Sequence, residues 1–146
     1  MLHSMAIPSI DCYPCLKCSG RGCKQCDNLG YYRQPASVND MYSGGKHTNR
    51  RFMTEKGKSW KHWVAENVRF GYFMGKDHCK PEPAHFELWL KWIFPDKRRR
   101  DTESYAKAVK DALSGIIWAD DSQIYKEHYE KVIAKEWGLI IEWREL

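Results

Sequence analysis

Residues 95–123, PDKRRRDTESYAKAVKDALSGIIWADDSQ, decide how this chain is read. A basic run, Lys97-Arg98-Arg99-Arg100, leads into Asp101 and Glu103. Tyr105, Ala108, Val109, Ala112, Leu113 and Ile116 then recur at three- and four-residue steps, which is one apolar face of an amphipathic helix. Asp101 suits the N-cap, Glu103 the positive end of the helix dipole, and Gly115 the stop. Glu103, Lys107 and Asp111 stand four apart, so they are neighbours on a second face. A second acidic pair, Asp120-Asp121, follows the helix.

Two acidic clusters around one helix suit a hard divalent cation. Magnesium takes oxygen ligands at roughly 2.0–2.1 Å and keeps several waters. So held, it activates water and stabilises charge on a phosphate being displaced, while neighbouring arginines hold an anionic backbone. Acidic residues at helix starts and Asp-Asp in loops also serve as solvated caps and turns, so the residues alone leave both readings open.

The same stretch resembles the RusA-type Holliday junction resolvases, many of them carried by phages. The matching residues are Arg100-Asp101-Thr102-Glu103-Ser104, Lys107, Asp111-Ala112-Leu113 and Trp118-Ala119-Asp120-Asp121. Upstream, Pro35-Ala36-Ser37-Val38-Asn39, Gly44-Gly45-Lys46 and residues 52–57 resemble the family's early segment. Order and spacing hold over about residues 33–143. Glu103 stands where the family has Asp, and Ser104 where it has Asn. The longer Glu103 side chain shifts its oxygens.

The resemblance implies a homodimeric, magnesium-dependent endonuclease that resolves four-way DNA junctions by paired symmetric nicks. Asp101, Glu103 and Asp121 would converge on the metal, and Lys107 would stabilise the phosphate or the leaving group. Lys97, Arg98, Arg99 and Arg100 would grip the backbone. Asn39, Lys46, Arg50 and Arg51 follow as DNA contacts, because the family's early loop lies beside its active site. Two alternatives stay open: a non-catalytic phage DNA-binding protein on the same scaffold, and a nuclease for flaps or simple branches.

The chain has 146 residues and a net charge of +5, which permits nucleic-acid binding without proving it. No apolar run approaches a membrane span, and residues 1–10 lack a signal-peptide pattern, so the expectation is a soluble protein of the cytoplasm, the host's if phage-encoded.

Five of the six cysteines lie between Cys12 and Cys26. Cys15-Leu16-Lys17-Cys18 and Cys23-Lys24-Gln25-Cys26 are two C-x2-C pairs around Ser-Gly-Arg-Gly, a spacing that wraps a zinc ion in four thiolates. Disulfides are the competing reading, disfavoured in a reducing cytosol, and Cys12 stands close enough to replace one ligand. The pattern resembles the CxxCxGxG modules of the DnaJ cysteine-rich region, over about fifteen residues. That implies a fold element and no chaperone activity.

The expected order is a short strand near residues 31–33, a turn-rich loop, a strand ending at Met53, a helix from the Thr54 cap to about Arg69, and a strand over 85–94. The acidic-flanked helix follows. Strands over 123–133 and 139–143 are read as an antiparallel hairpin turning near 136–138. The fold class is therefore α/β: a mixed β-sheet with helices on one face, over residues 31–146, and a small zinc knuckle over residues 1–30.

Overall fold

The computed structural model describes residues 1–7, 13–26, 29, 31–32, 34–44, 51–76 and 78–146. Lys46, Arg50 and Cys12 lie outside them. The central element is a nine-residue strand, Phe86–Phe94. Phe86, Leu88, Leu90, Trp92 and Phe94 point to one face and are each no more than 3% exposed. Two helices, Glu55–Gly71 and Thr102–Leu113, cover that face. Trp60 of the first and Tyr105 of the second both pack on Trp92, with ring centroids 6.5 and 5.4 Å away. This is the mixed α/β architecture that the sequence predicts.

In chain order the elements are β1 (His3–Ile7), β2 (Tyr13–Pro14), β3 (Tyr31–Tyr32), α1 (Val38–Met41), β4 (Tyr42–Gly44), β5 (Arg51–Met53), α2 (Glu55–Gly71), β6 (Phe86–Phe94), α3 (Thr102–Leu113), β7 (Ile124–Ile133) and β8 (Gly138–Glu145). The main sheet has the order β1-β8-β6-β7. β7 runs parallel to β6 and β8 antiparallel to it. A parallel pair needs a crossover of a dozen or more residues, which α3 supplies. Among the described residues, none of the helices is long and apolar enough to cross a membrane.

One expectation is corrected here. β7 and β8 do not form a hairpin: they flank β6 on opposite edges. The link between them passes over the end of β6, where Ala134 N–H donates to the Phe94 carbonyl at 2.9 Å and Trp137 stands edge-on to the Phe94 ring. Four residues, 134–137, suffice to cross two strand spacings of about 4.8 Å each. Residues 3–7 also join the main sheet. β1 pairs with β8 from His3↔Trp143 to Ile7↔Leu139, as an edge of the main sheet. The cysteine segment follows β1 and docks on α2. Tyr13, fully buried, packs on Trp60 and Trp63, and Leu16 N–H donates to the buried Ser59 hydroxyl at 3.0 Å.

α2 starts on the Thr54 cap, whose hydroxyl accepts from Gly57 N–H at 3.0 Å. Gly57 then lets the helix lie against α1. A Cβ there would sit 2.8 Å from the Met41 carbonyl oxygen and 2.9 Å from its Cα. Alanine would gain roughly 1 kcal/mol of helix propensity. Overpacking against backbone costs about 1–3 kcal/mol and wins. Gly57→Ala should therefore lower the denaturant midpoint in an unfolding titration, and a raised midpoint would refute this packing.

On the face of β6 away from the helices, the buried Glu87 accepts from Arg144 at 2.6 and 2.8 Å and lies 2.8 Å from His128 Nε2. The hydrogen bond with His128, then the Arg144 contacts, hold its carboxyl below the usual range despite burial. A depressed folded value means stability present above the ordinary glutamate pKa of about 4.3, and lost as pH falls through the folded value. Denaturant melts across that range should show a flatter acid limb for Glu87→Gln than for the native chain.

Candidate active site and metal centre

α3 begins as its sequence dictates. The Asp101 carboxylate accepts from Glu103 N–H at 3.1 Å, in the N-cap role. The approach to this cap is fixed by Asp96. Arg100 grips Asp96 at 2.6 and 3.1 Å, and Arg98 N–H donates to it at 2.9 Å. These bonds, the Arg100 contact foremost, bring the Asp96 carboxyl down to about 2. Arg100 also lies over Trp137 and Phe94, 4.7 and 5.1 Å from the ring centroids, and its side chain is only 11% exposed. Lys131 donates to the Arg100 carbonyl at 2.6 Å, holding the backbone one residue before Asp101.

Arg100 therefore differs from its expected role. It anchors the turn into α3, while Lys97, Arg98 and Arg99 remain exposed, Arg98 at 80% of its side chain. Asn39 and Arg51 are exposed as well.

Lys107, half exposed, stands between two carboxylates. Its ammonium is 3.2 Å from Asp111 Oδ1 and 3.4 Å from Asp121 Oδ2. Partial burial pulls its pKa down, but the bonds to Asp111 and Asp121 outweigh it, so the group lies above the ordinary lysine value. It is a fixed cation near neutral pH. Tyr42 completes the corner by donating to Asp111 Oδ2 at 3.1 Å, and burial followed by the Asp111 charge keeps its phenol protonated.

The Asp120-Asp121 turn is held from inside. Gln123 is fully buried. Its carbonyl oxygen accepts from the N–H groups of Ala119 and Asp120 at 2.7 and 3.2 Å, and its amide donates to the carbonyls of Ala84 and Lys80 at 2.8 and 3.2 Å. Asp120 accepts from Ser122, which lowers its carboxyl pKa.

A cleft of about 770 Å³ opens beside α3. Asn39, Asp101, Glu103, Ser104 and Lys107 line one part of it, and Lys110, Glu127 and Tyr129 the rest. Lys110 and Glu127 pair at 2.8 Å. Exposed hard oxygens of Asp101 and Glu103 in one cleft are a donor set that fits magnesium. The convergence with Asp121 is looser than the sequence suggests. The three carboxylates form no group whose ligand oxygens all lie within 4.8 Å of one another. Asp121 reaches the Lys107–Asp111 turn instead. Lys107 lies six residues past Asp101, about 9 Å along the axis. The returning loop is shortened by its own folding: Ile116, Ile117 and Trp118 are buried, and Gly115 N–H donates to the Trp118 carbonyl at 2.7 Å.

The four cysteines do gather. The sulfurs of Cys15, Cys18, Cys23 and Cys26 all lie within 4.8 Å of one another. Cys15 to Cys23 is 3.9 Å, and Cys18 to Cys26 and Cys23 to Cys26 are 3.8 Å. A tetrahedron with metal–sulfur bonds of about 2.3 Å has edges of about 3.8 Å, whereas a disulfide bond is about 2.05 Å long. Gly22 N–H points at the Cys18 sulfur at 3.2 Å and Cys23 N–H at the Cys26 sulfur at 3.4 Å. Gly20 and Gly22, with φ of 85° and 96°, make the reversal between the pairs.

Sequence reasoning did not assign Asp96, Lys131, Tyr42, Gln123 or Glu127 to this site. Lys131, Tyr42, Gln123 and Glu127 act through long-range contacts without local periodicity, whereas Asp96 binds Arg100 four residues later. The usable signals were that Asp96–Arg100 spacing and the Trp-x-Asp-Asp-x-Gln spacing for Gln123.

No curated protein matches the chain. The family model described as Endodeoxyribonuclease RusA matches residues 33–144, a span that takes in α1, the Lys107 corner, the Gln123-locked turn and nearly all of β8. With the mixed sheet and the acidic cleft in place across that span, the chain belongs to the RusA endodeoxyribonuclease family.

Proposed function

We propose that this chain is a magnesium-dependent endonuclease that resolves four-way DNA junctions as a homodimer. The observation that carries it is the Lys107 ammonium held between Asp111 and Asp121 beside the cleft of Asp101 and Glu103, in a member of this family. Asp101 and Glu103 would hold the magnesium ion, with Asp121 joining them on release from Lys107; the bound ion polarises a phosphoryl oxygen and activates water. Lys107 carries positive charge to the oxygens whose charge grows in the transition state. Asp111 and Tyr42 fix its direction, so little reorganisation is needed during reaction. Lys97, Arg98, Arg99, Arg51 and Asn39 meet the DNA backbone, joined by Lys46 and Arg50. Paired symmetric cuts call for two matched sites, which a twofold dimer presents.

The looser placement of Asp121 favours one competitor, a DNA-binding protein without cleavage on the same scaffold. Magnesium-dependent cleavage of junction, flap and linear DNA separates the readings. The native chain should nick junctions in symmetric pairs. Junction binding with no cleavage at any magnesium concentration would establish the competitor, and preferred cutting of flaps the branch nuclease. Lys107→Ala should lower kcat by roughly 10²- to 10³-fold, as for removal of one preorganised charge donor. It should leave the junction Kd nearly unchanged. Equal losses in kcat and affinity would make Lys107 a structural cation. Asp101→Asn and Asp121→Asn should abolish cleavage and retain binding, and Glu103→Asp should keep or raise the rate.

The cysteine cluster is proposed to hold one structural zinc ion. Elemental analysis should find one zinc per chain. Because such binding energy is folding energy, a strong chelator should lower the melting temperature and expose the Trp60–Trp63 face of α2 to fluorescence quenchers. Protein purified without zinc and with unchanged melting would contradict it.

A further inference from the structure

A second concave surface lies at the other end of α3. It is a groove of about 400 Å³ between α2 and the turn that follows α3. Lys58, Lys61, His62, Glu66 and Arg69 of α2 line it, at three- and four-residue steps that form one stripe of the helix. Ala65 and Ala112 leave its floor shallow, and Ser114 and Gly115 form the far wall. Gly115 has φ of 84° and open space where a side chain would project.

The charges are unevenly neutralised. Lys58 pairs with Glu55 and Arg69 with Glu66, both at 3.1 Å on the surface, where such pairs exchange readily for other partners. Lys61 pairs with no carboxylate among the described residues. The groove itself holds three fixed cations and one carboxylate.

Its position relates it to the cleft. Ala112 follows Asp111 directly. Met53, also in the lining, is paired across β4 and β5 with Tyr42, whose hydroxyl binds Asp111. Ser114 lies seven residues past Lys107, about 10 Å along α3. The stripe from Lys58 to Arg69 covers about 16 Å. Together they span less than one duplex turn of about 34 Å.

We infer that this groove is a phosphate track for one duplex arm of the DNA whose backbone is cut at the Lys107 cleft. The inference rests on the nuclease reading and adds to it a surface outside the basic run and early loop. Lys58, Lys61 and Arg69 bind successive phosphates, and the Gly115 turn lets the backbone come close. The exposed Arg98 and Arg99 grip the DNA at the opposite end of α3, so the helix lies between two basic holds with the cleft between them.

The test is binding of an intact four-way junction by the full chain, without added magnesium, as a function of salt. Each phosphate neutralised contributes roughly −0.9 to the log–log slope, so Lys58→Ala/Lys61→Ala/Arg69→Ala should flatten it by about 2 to 3 and weaken binding about 10- to 100-fold near 0.1 M salt. At saturating junction and magnesium, its kcat should equal that of the native chain, which also shows that it folds. Lys61→Glu alone should weaken binding, and Lys61→Arg should restore it. An unchanged slope and affinity in the triple variant overturns the track, as does a loss of kcat with binding intact. If the native chain binds junctions but never cuts them, the nuclease reading fails while the slope still decides the groove.

Discussion

The structure depends on the buried face of β6. Five side chains, Phe86, Leu88, Leu90, Trp92 and Phe94, sit on one side of a strand that also has partners on both edges. Burying large aliphatic and aromatic side chains contributes about 1.5–3 kcal/mol each, an upper estimate because unfolded chains already bury part of that surface. β8 also has partners on both edges but buries three such side chains, Leu139, Ile141 and Trp143. β7 is mostly exposed along its length, and β1 covers five residues. Once β6 is central, α3 must start at its far end and run back across its face. That places Asp101 beside the end of β6, and Lys107 and Asp111 level with the turn that starts β7.

Charge governs what the scaffold can hold there. Asp101 and Glu103 open α3, Asp111 lies near its end, Asp120 and Asp121 precede β7 and Glu127 lies on β7, so carboxylates run the length of α3, and like charges this close repel. Within the chain, two lysines answer them. Lys107 joins Asp111 to Asp121, and Lys110 joins α3 to Glu127 of β7. Lys110 closes a contact between elements and is mostly buried, whereas Lys107 stays half exposed at the cleft. Identical ammonium groups three residues apart thus divide into an internal tie and a cation open to an incoming phosphate.

Much of this was legible in the sequence, and the losses have physical causes. The spacing of Tyr105 to Leu113 announced α3, and Asp101 announced its cap, because both are local. The pairing of β7 and β8 was not local. Alternation in residues 139–143 fits a hairpin and a split pair equally well. The discriminating signal lay in β6, whose second face carries Trp89 and Ile93 and so reads as a central strand. β1, with five residues and one buried side chain, offered little pattern to detect. Arg100 looked like its basic neighbours. What removes it from the surface is Asp96 four residues earlier and Trp137 far along the chain, and only the first was visible as spacing.

The cysteine segment acquires a physical role from where it docks. Tyr13 and Leu16 bind α2 through Trp60, Trp63 and Ser59, on the turns just after Gly57. Gly57 fits against the backbone of Met41 with no room for a methyl group. Met41 precedes Tyr42, and Tyr42 reaches Asp111, which holds Lys107. The steps are ring contacts, a close approach to backbone, one peptide bond and hydrogen bonds, and close-packed interiors have little compliance with which to absorb a shift. α1 is a single helical turn and could not hold its own position by propensity. Its placement comes from α2, and α2 is in turn pressed from its outer side by the cysteine segment. The packing of residues 13–16 thereby supports α2, and through it α1 and the Tyr42–Asp111 contact.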